Sequence, residues 1–392
     1  MGGRVMFAVL AARDFRRLWI GSSLSLAGDG MTLVALTWLV LQEGDAGRLS
    51  LLAACYTAPV VIGGLAVGPL LDRFDKRYVL AADSAVRGAA VASVPVAEVL
   101  GGVPDWLPFV VAAVYGLLKM VPMAGVPAAV PDLVEPSRLD GANALESLAY
   151  SVAGIVGYAL AGVLVDALGA PAVLALDAAS YLCFAVAALA VRTPLRPHLE
   201  PRRDRPRLGR LVRDPVLVRT TLAFMAFNVA EGALVLVAGP WLAAERLPGG
   251  AGTLALLLSA LSAGELAGGF LAGVWRPRVD RLRALRVAQL VAAAGFLGLL
   301  AVPDRWTLAA GFLLVGMAGA VMTVWAQSLR MEIVPAALRG RAFGLLRTLM
   351  QATPPIGAAA VAPLLATGDM TLLAVVLTAV AAVPALLIRP RH

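Results

Sequence analysis

The sequence predicts an all-α polytopic membrane protein with twelve transmembrane helices in two six-helix pseudo-symmetric halves. Three observations carry that prediction. Hydrophobic residues make up 60% of the 392 positions, about 235 side chains. Twelve helices of ~20 residues, each crossing ~30 Å of hydrocarbon, require roughly 240. Charged residues are only 15%, against roughly 25% in an ordinary soluble domain, and they gather in short runs between apolar stretches. One long hydrophilic stretch divides the chain nearly in half. A soluble enzyme of this length would need a polar shell that this composition cannot supply, and a disordered chain or a secreted disulfide scaffold is excluded with it.

Taken in order, Val5–Ala12 is apolar but too short to span, and Arg13, Asp14, Arg16 and Arg17 follow it. It reads as a cytoplasmic lead-in rather than a cleaved signal peptide. Charges and Pro/Gly clusters then mark off segments 18–41, 50–71, 78–100, 106–130, 143–168 and 171–191. After the hydrophilic stretch come 217–243, 251–275, 284–302, 306–329, 342–366 and 370–388. Each is long enough to cross the hydrocarbon as a helix, allowing for tilt. With both termini inside, the inner segments hold 26 basic residues, and the outer loops hold only Arg48, Arg246 and Arg305. That asymmetry orients the bundle.

The hydrophilic stretch Arg192–Asp214 is rich in Arg and Pro and cannot pack a core, so residues 193–216 read as a cytoplasmic linker. It separates an N-terminal half, 1–192, from a C-terminal half, 217–392. Gly63–Gly68 recurs as Gly268–Gly273, offset by 205, and Pro136, Leu139 and Gly141 recur as Pro335, Leu338 and Gly340, offset by 199. Matches at corresponding places predict a parallel repeat. The net charge of +8, with 31 of the 33 basic residues Arg, fits a topology signal rather than nucleic-acid binding. Cys55 and Cys183 lie in apolar stretches and the two histidines lie apart, so neither a metal site nor a disulfide framework is predicted. No phosphate-cradling Gly-rich motif, paired acidic cluster or His-based nucleophile system suggests ATP drive, a cofactor or an enzyme.

The stretch GPLLDRFDKR, Gly68–Arg77, resembles the signature between helices 2 and 3 of the major facilitator superfamily, with Asp75 where that family has Gly. Phe15–Val40, Pro131–Val134 and Gly141–Ala144 resemble its drug and siderophore exporter branch. The resemblance implies a conformational latch on the cytoplasmic side built from Gly68, Asp72, Arg73, Lys76, Arg77 and Asp132. In it Asp72 caps the start of helix 11, Arg73 pairs with Asp132, and Gly64-x-x-x-Gly68 permits close helix approach. Gly157–Gly162 half-matches the family's antiporter signature, with Tyr158 replacing the proline and Ala161 a glycine. Helix 4 lacks that group's Arg-x-x-Gln-Gly pattern.

Ionisable groups in apolar surroundings are costly and normally face a cavity or a partner. Asp29, Lys119 and Glu231 each lie near the middle of an apolar segment, in segments 1, 4 and 7. The resemblance implies that these segments line a central cavity. Asp29 or Glu231 is a candidate for the coupling proton or for a cationic substrate. The alternative is a buried ion pair with Lys119, whose compact amine suits a switchable partner. Asp83 and Arg87 read as a local i, i+4 pair near the cytoplasmic end of segment 3. Glu146, Asp177 and Glu265 read as less central, Asp177 in the outer third of segment 6. Possible cavity-lining residues are Tyr115, Met120, Met123, Asn228, Trp325, Gln327 and Gln351.

The expected function is secondary transport: proton-coupled efflux of a hydrophobic or amphipathic small molecule by alternating access. The setting is the bacterial inner membrane, with both termini cytoplasmic and a monomeric chain. A proton-symporting importer or a lipid flippase of the same fold is the alternative.

Overall fold

In the computed structural model the described residues are 9–42, 45–195, 214–275, 280–334, 346 and 348–388, with the side chain of Asp140 excepted. Twelve of their helices are long and apolar enough to cross a membrane. They are α1 Arg13–Leu41, α2 Ala46–Arg73, α3 Lys76–Leu100, α4 Leu107–Leu133, α5 Gly141–Leu168 and α6 Ala170–Leu189. The second set is α7 Pro215–Glu245, α8 Gly250–Val274, α9 Arg281–Ala301, α10 Arg305–Ile333, α11 Thr348–Ala366 and α12 Met370–Leu387. The helices satisfy their own backbone groups, as hydrocarbon requires. The chain is an integral membrane protein with an all-α fold.

Local chemistry sets the boundaries. Asp75, Asp214, Asp280, Asp304 and Asp369 are N-caps of α3, α7, α9, α10 and α12, each accepting hydrogen bonds from backbone N–H groups of the first turn. This explains Asp75 where the resembled family has glycine. A single residue, Gly169 at φ 83°, separates α5 from α6, a left-handed conformation that favours glycine. Helix α4 is interrupted at Lys119. Three residues on, Pro122 lacks an N–H and its ring crowds the Leu118 carbonyl. In α7 the segment Leu234–Ala238 widens to a π turn, with the Gly239 N–H donating to the Leu234 carbonyl, immediately ahead of Pro240.

The helices form two compact units: Met1–Glu43 with Cys55–Glu200, and Gly44–Ala54 with Pro201–His392. In the first, α1 packs on α5 and α6, and α3 on α4 and α6; in the second, α7 packs on α11 and α12, and α9 on α10 and α12. The two internal plans repeat at matched glycine crossings. A methyl group placed on Gly63 would run into the Leu117 carbonyl, and one on Gly116 into the Tyr56 carbonyl, at the α2–α4 crossing. At the α8–α10 crossing Gly268 stands in the same way against Met317, and Gly316 against Leu261. The offsets are 205 on α2/α8 and 200 on α4/α10. The second repeat pattern, at Pro335–Gly340, lies outside the described residues.

The structure corrects the expected role of Gly64 and Gly68. Among the described residues no atom lies within 4 Å of a methyl group built on Gly68, and the Met120 side chain alone comes near Gly64, at 3.7 Å. The close approach belongs to Gly63, because that face of α2 meets α4.

Two predictions follow from these contacts. In detergent, Gly116→Val should lower the stability of the chain by about 1–3 kcal/mol through overpacking, while Gly68→Ala should change it by no more than about 1 kcal/mol; equal losses in thermal unfolding would contradict the crossing. Asp75, outside the spans, is pushed upward by burial. Its bonds from the Arg77 side chain and backbone outweigh that and hold its carboxyl below the usual carboxylate range. Its contribution is therefore present above the unfolded value near ~3.9 and lost as pH falls through the lower folded one. Asp75→Asn should flatten the acid limb of the stability profile, with a loss of order 1 kcal/mol at neutral pH.

Candidate functional site

The first unit buries a charged cluster at mid-depth. Arg87 lies halfway along α3 and is 1% exposed, so the expectation of a peripheral pair near the cytoplasmic end is corrected. Its guanidinium holds Asp83 on its own helix through Nη2 at 2.5 Å and Nε at 3.1 Å. Nη1 donates to Asp29 of α1 at 3.4 Å and to the Tyr181 hydroxyl of α6 at 3.2 Å. Tyr181 in turn donates to Asp29 at 2.5 Å. Such a group is tolerated in apolar surroundings only because carboxylates and hydroxyls surround it.

Aromatic rings extend the cluster to Lys119. The Arg87 guanidinium lies 4.6 Å from the Tyr181 ring and 5.7 Å from that of Tyr115. Tyr115 stacks on Tyr56 at 4.5 Å, and Lys119 Nζ stands 5.6 Å over the Tyr56 ring, within cation–π range. Three residues singled out from the sequence, Asp29, Tyr115 and Lys119, are thus brought together by Arg87, which the sequence paired only with Asp83, and by two that it did not single out, Tyr181 and Tyr56. Asp177 of α6 is also fully buried, bonded to Thr32 of α1 and accepting from Ser180 at 2.8 Å. It packs against Gly28, leaving no room for a side chain there. Among these additions, the Asp83–Arg87 spacing alone carried a signal in the sequence.

The second unit places Glu231 at the corresponding position. In the first unit Gly157 of α5 abuts the Ala27 carbonyl, and Gly30 faces Gly157, so that α1 and α5 cross at Asp29. In the second, Gly357 of α11 abuts the Val229 carbonyl and Gly232 faces Pro354, so that α7 and α11 cross at Glu231. Ala27, Asp29 and Gly30 map onto Val229, Glu231 and Gly232 at a common offset of 202, and Gly157 onto Gly357 at 200. Glu231 is half-buried, within electrostatic reach of Glu265 on α8, and among the described residues it makes no ion pair. The place that Arg87 takes in the first unit is taken here by a neutral amide. Gln289 of α9 is fully buried and donates to the Ala223 carbonyl of α7 and the Ala381 carbonyl of α12, at 2.9 and 2.8 Å.

The expected lining residues divide. Asn228 commits its amide to the Met350 carbonyl at 3.3 Å. Trp325 lies against Trp275, which follows the last turn of α8, with ring centroids 5.7 Å apart, while Gln327 and Gln351 are half-buried on α10 and α11. Met120 is part of the apolar core of the first unit, and Met123 packs against it. At the start of α3, Asp132 is held by Lys76 at 3.1 Å, which corrects the expected Arg73–Asp132 pair. Lys76 opens α3 and is buried, whereas Arg73 is exposed and lies over the Phe74 ring. Arg281 and Glu332 repeat the Lys76–Asp132 pair between α9 and α10. Arg77 bonds Asp75 and the Val191 carbonyl at the end of α6. Asp72 is exposed, and the start of segment 11 that it was expected to cap lies outside the described residues.

Comparison with known proteins follows the same lines. The Tap multidrug efflux pump of Mycobacterium tuberculosis is 44% identical over 73 residues, 18% of this chain and 17% of that protein. That of Mycolicibacterium fortuitum is 33% identical over 137 residues, 33% of this chain and 34% of that protein. The matches therefore span between 17% and 34% of those relatives. Among solved structures, a peptide transporter POT mutant with alafosfalin superposes with a TM-score of 0.78 at 14% identity, covering 95% of this chain and 93% of that one. The nucleoside transporter NupG gives 0.71 at 14%, covering 96% and 99%. At such identities these structures speak for the fold. The sequence pattern of the transmembrane secretion effector family matches residues 5–389, nearly the whole chain. With twelve apolar helices and transporter-fold neighbours, the chain belongs to that family, and so to the transporters of the major facilitator superfamily.

Proposed function

We propose that this transporter exports a hydrophobic or amphipathic small molecule across the bacterial plasma membrane in exchange for protons. It works as a monomer by alternating access of two halves, 1–192 and 217–392, joined by the cytoplasmic linker 193–216. The observation that carries the reading is the placement of one carboxylate, Asp29 or Glu231, at the glycine crossing of each unit. Helices that cross so closely have little freedom at that point, so a change of charge there is felt by both. The Tap relatives support the direction of transport, and the 26-to-3 distribution of basic residues supports cytoplasmic termini.

In this reading Asp29 and Glu231 exchange protons or meet the substrate, and Arg87 is a positioning residue that holds Asp29 with Tyr181. Everted vesicles loaded with the chain provide the test. Asp29→Asn and Glu231→Gln should each reduce efflux driven by a pH gradient at least about tenfold, a change of ~1.4 kcal/mol in the coupled step. If both variants transport like wild type, the coupling assignment fails.

Arg87 is tested separately. Arg87→Gln leaves Asp83 buried without its cation, and stability should fall by about 3–5 kcal/mol. The double change Arg87→Gln with Asp83→Asn should recover most of that stability without restoring coupled efflux. A double variant as unstable as the single one would show that the charge pair is not what Arg87 maintains.

A further inference from the structure

We propose that Arg330 is the recognition group of an anion-binding site in the second unit, taking the carboxylate or phosphate of an amphipathic molecule. Arg330 falls just beyond the apolar segment 306–329 in the sequence, where a basic residue signals a loop. In the structure α10 continues to Ile333, and Arg330, in its last turn, is only 4% exposed. Its Nη1 reaches the Met350 sulfur of α11 at 3.8 Å. Nε and Nη2 are buried and make no hydrogen bond. The guanidinium carbon lies 5.8 Å from the Phe224 ring of α7. A thioether and an aromatic face contribute a fraction of what a carboxylate would.

Among the described residues no counter-ion pairs with Arg330. Glu332 on the same helix is taken by Arg281. Glu231 on α7 is seven residues beyond Phe224, about 10 Å along the helix axis. No acid occurs between Glu332 and Asp369, and the connection from α10 to α11 adds Arg339, Arg341 and Arg347. A guanidinium buried with two unused donor nitrogens is costly, and an anion seated on its planar fork offsets that cost through charge-assisted hydrogen bonds.

A second orphan group points to the same ligand. The Thr221 hydroxyl of α7 is buried without a hydrogen-bond partner, and Thr221 precedes Phe224 by three residues, on the same helix face. A hydroxyl can donate one hydrogen bond to an anionic oxygen, beside the stronger ones from a guanidinium. Arg330 lies three residues from the inner end of α10, about 4.5 Å, near headgroup depth, and Phe224 and Met350 offer apolar surface to a tail. The chemistry selects an anionic head on an apolar body. Both an anionic phospholipid and a soluble amphipathic anion carry it. The inference is independent of the direction of transport and of the coupling ion.

The test uses the full chain, delipidated in a neutral maltoside detergent, and follows thermal unfolding. Decanoate, dodecyl phosphate and phosphatidylglycerol are titrated in, with decanol and phosphatidylcholine as uncharged and zwitterionic controls. Anions should raise Tm saturably in the wild type, and Arg330→Gln should weaken that response at least about tenfold. Thr221→Val should weaken it severalfold. Without added anion both variants should be at least as stable as wild type, because Arg330→Gln removes an uncompensated buried charge and Thr221→Val an unsatisfied hydroxyl. A response to decanoate or dodecyl phosphate assigns the site to soluble amphiphiles, and a response to phosphatidylglycerol alone assigns it to lipid. Equal anion responses in wild type and Arg330→Gln, equal effects of decanol and decanoate, or marked instability of Arg330→Gln without anion would each overturn the proposal.

Discussion

In a bilayer, apolar side chains gain nothing by leaving lipid for one another, so helices must associate through close contact of their backbones and through polar bonds between them. The glycine crossings are the points on which this architecture depends. Where α1 meets α5, α7 meets α11, α2 meets α4 and α8 meets α10, glycines face a neighbouring backbone that would tolerate no side chain. Those contacts fix the register of the helices in each unit. They also decide where the in-span carboxylates stand, since Asp29 and Glu231 are each chain neighbours of a crossing glycine.

Fixing the register left different electrostatic problems in the two units. In the first, Arg87 holds both Asp29 and Asp83 Oδ2, and Tyr181 joins Asp29 through its hydroxyl, while Asp83 Oδ1 is buried without a hydrogen bond. In the second, Gln289 spans α7, α9 and α12 with neutral hydrogen bonds, and among the described residues the charge in electrostatic reach of Glu231 is another acid, Glu265. The repeat thus preserves backbone geometry more faithfully than charge. Packing constrains volume at every crossing, whereas a polar group need only be satisfied, and more than one partner can do that.

Much of the fold was legible because hydrophobic length, breaker residues and basic loops are local properties. Counting along a segment placed Asp29, Lys119 and Glu231 at mid-depth. Partners were not legible. Arg87 and Asp29 are 58 positions apart, and Tyr181 is 152 from Asp29, so neither pairing leaves a pattern in the sequence. Arg87 was read with its i−4 neighbour because that spacing alone is local. Arg330 was misplaced for a related reason: a basic residue after an apolar run signals a loop, and only tertiary packing drew it into the helix. Gly68 was overvalued and Gly63 passed over, because composition marks a glycine-rich stretch without saying which face touches a neighbour.

The one-residue joint at Gly169 has a mechanical consequence. Two helices connected by a longer loop can slide past each other, but α5 and α6 are separated by a single residue, and the two peptide units that flank it reach at most ~7 Å and leave little slack. Helix α5 is keyed to α1 through Gly157, and α6 is tied to α1 through Tyr181–Asp29 and Asp177–Thr32. The three helices form a closed triangle of constraints with α1 at its apex. A displacement of any one of them is carried to the other two as a body, and the carboxylate of Asp29 travels with the strut rather than with a hinge.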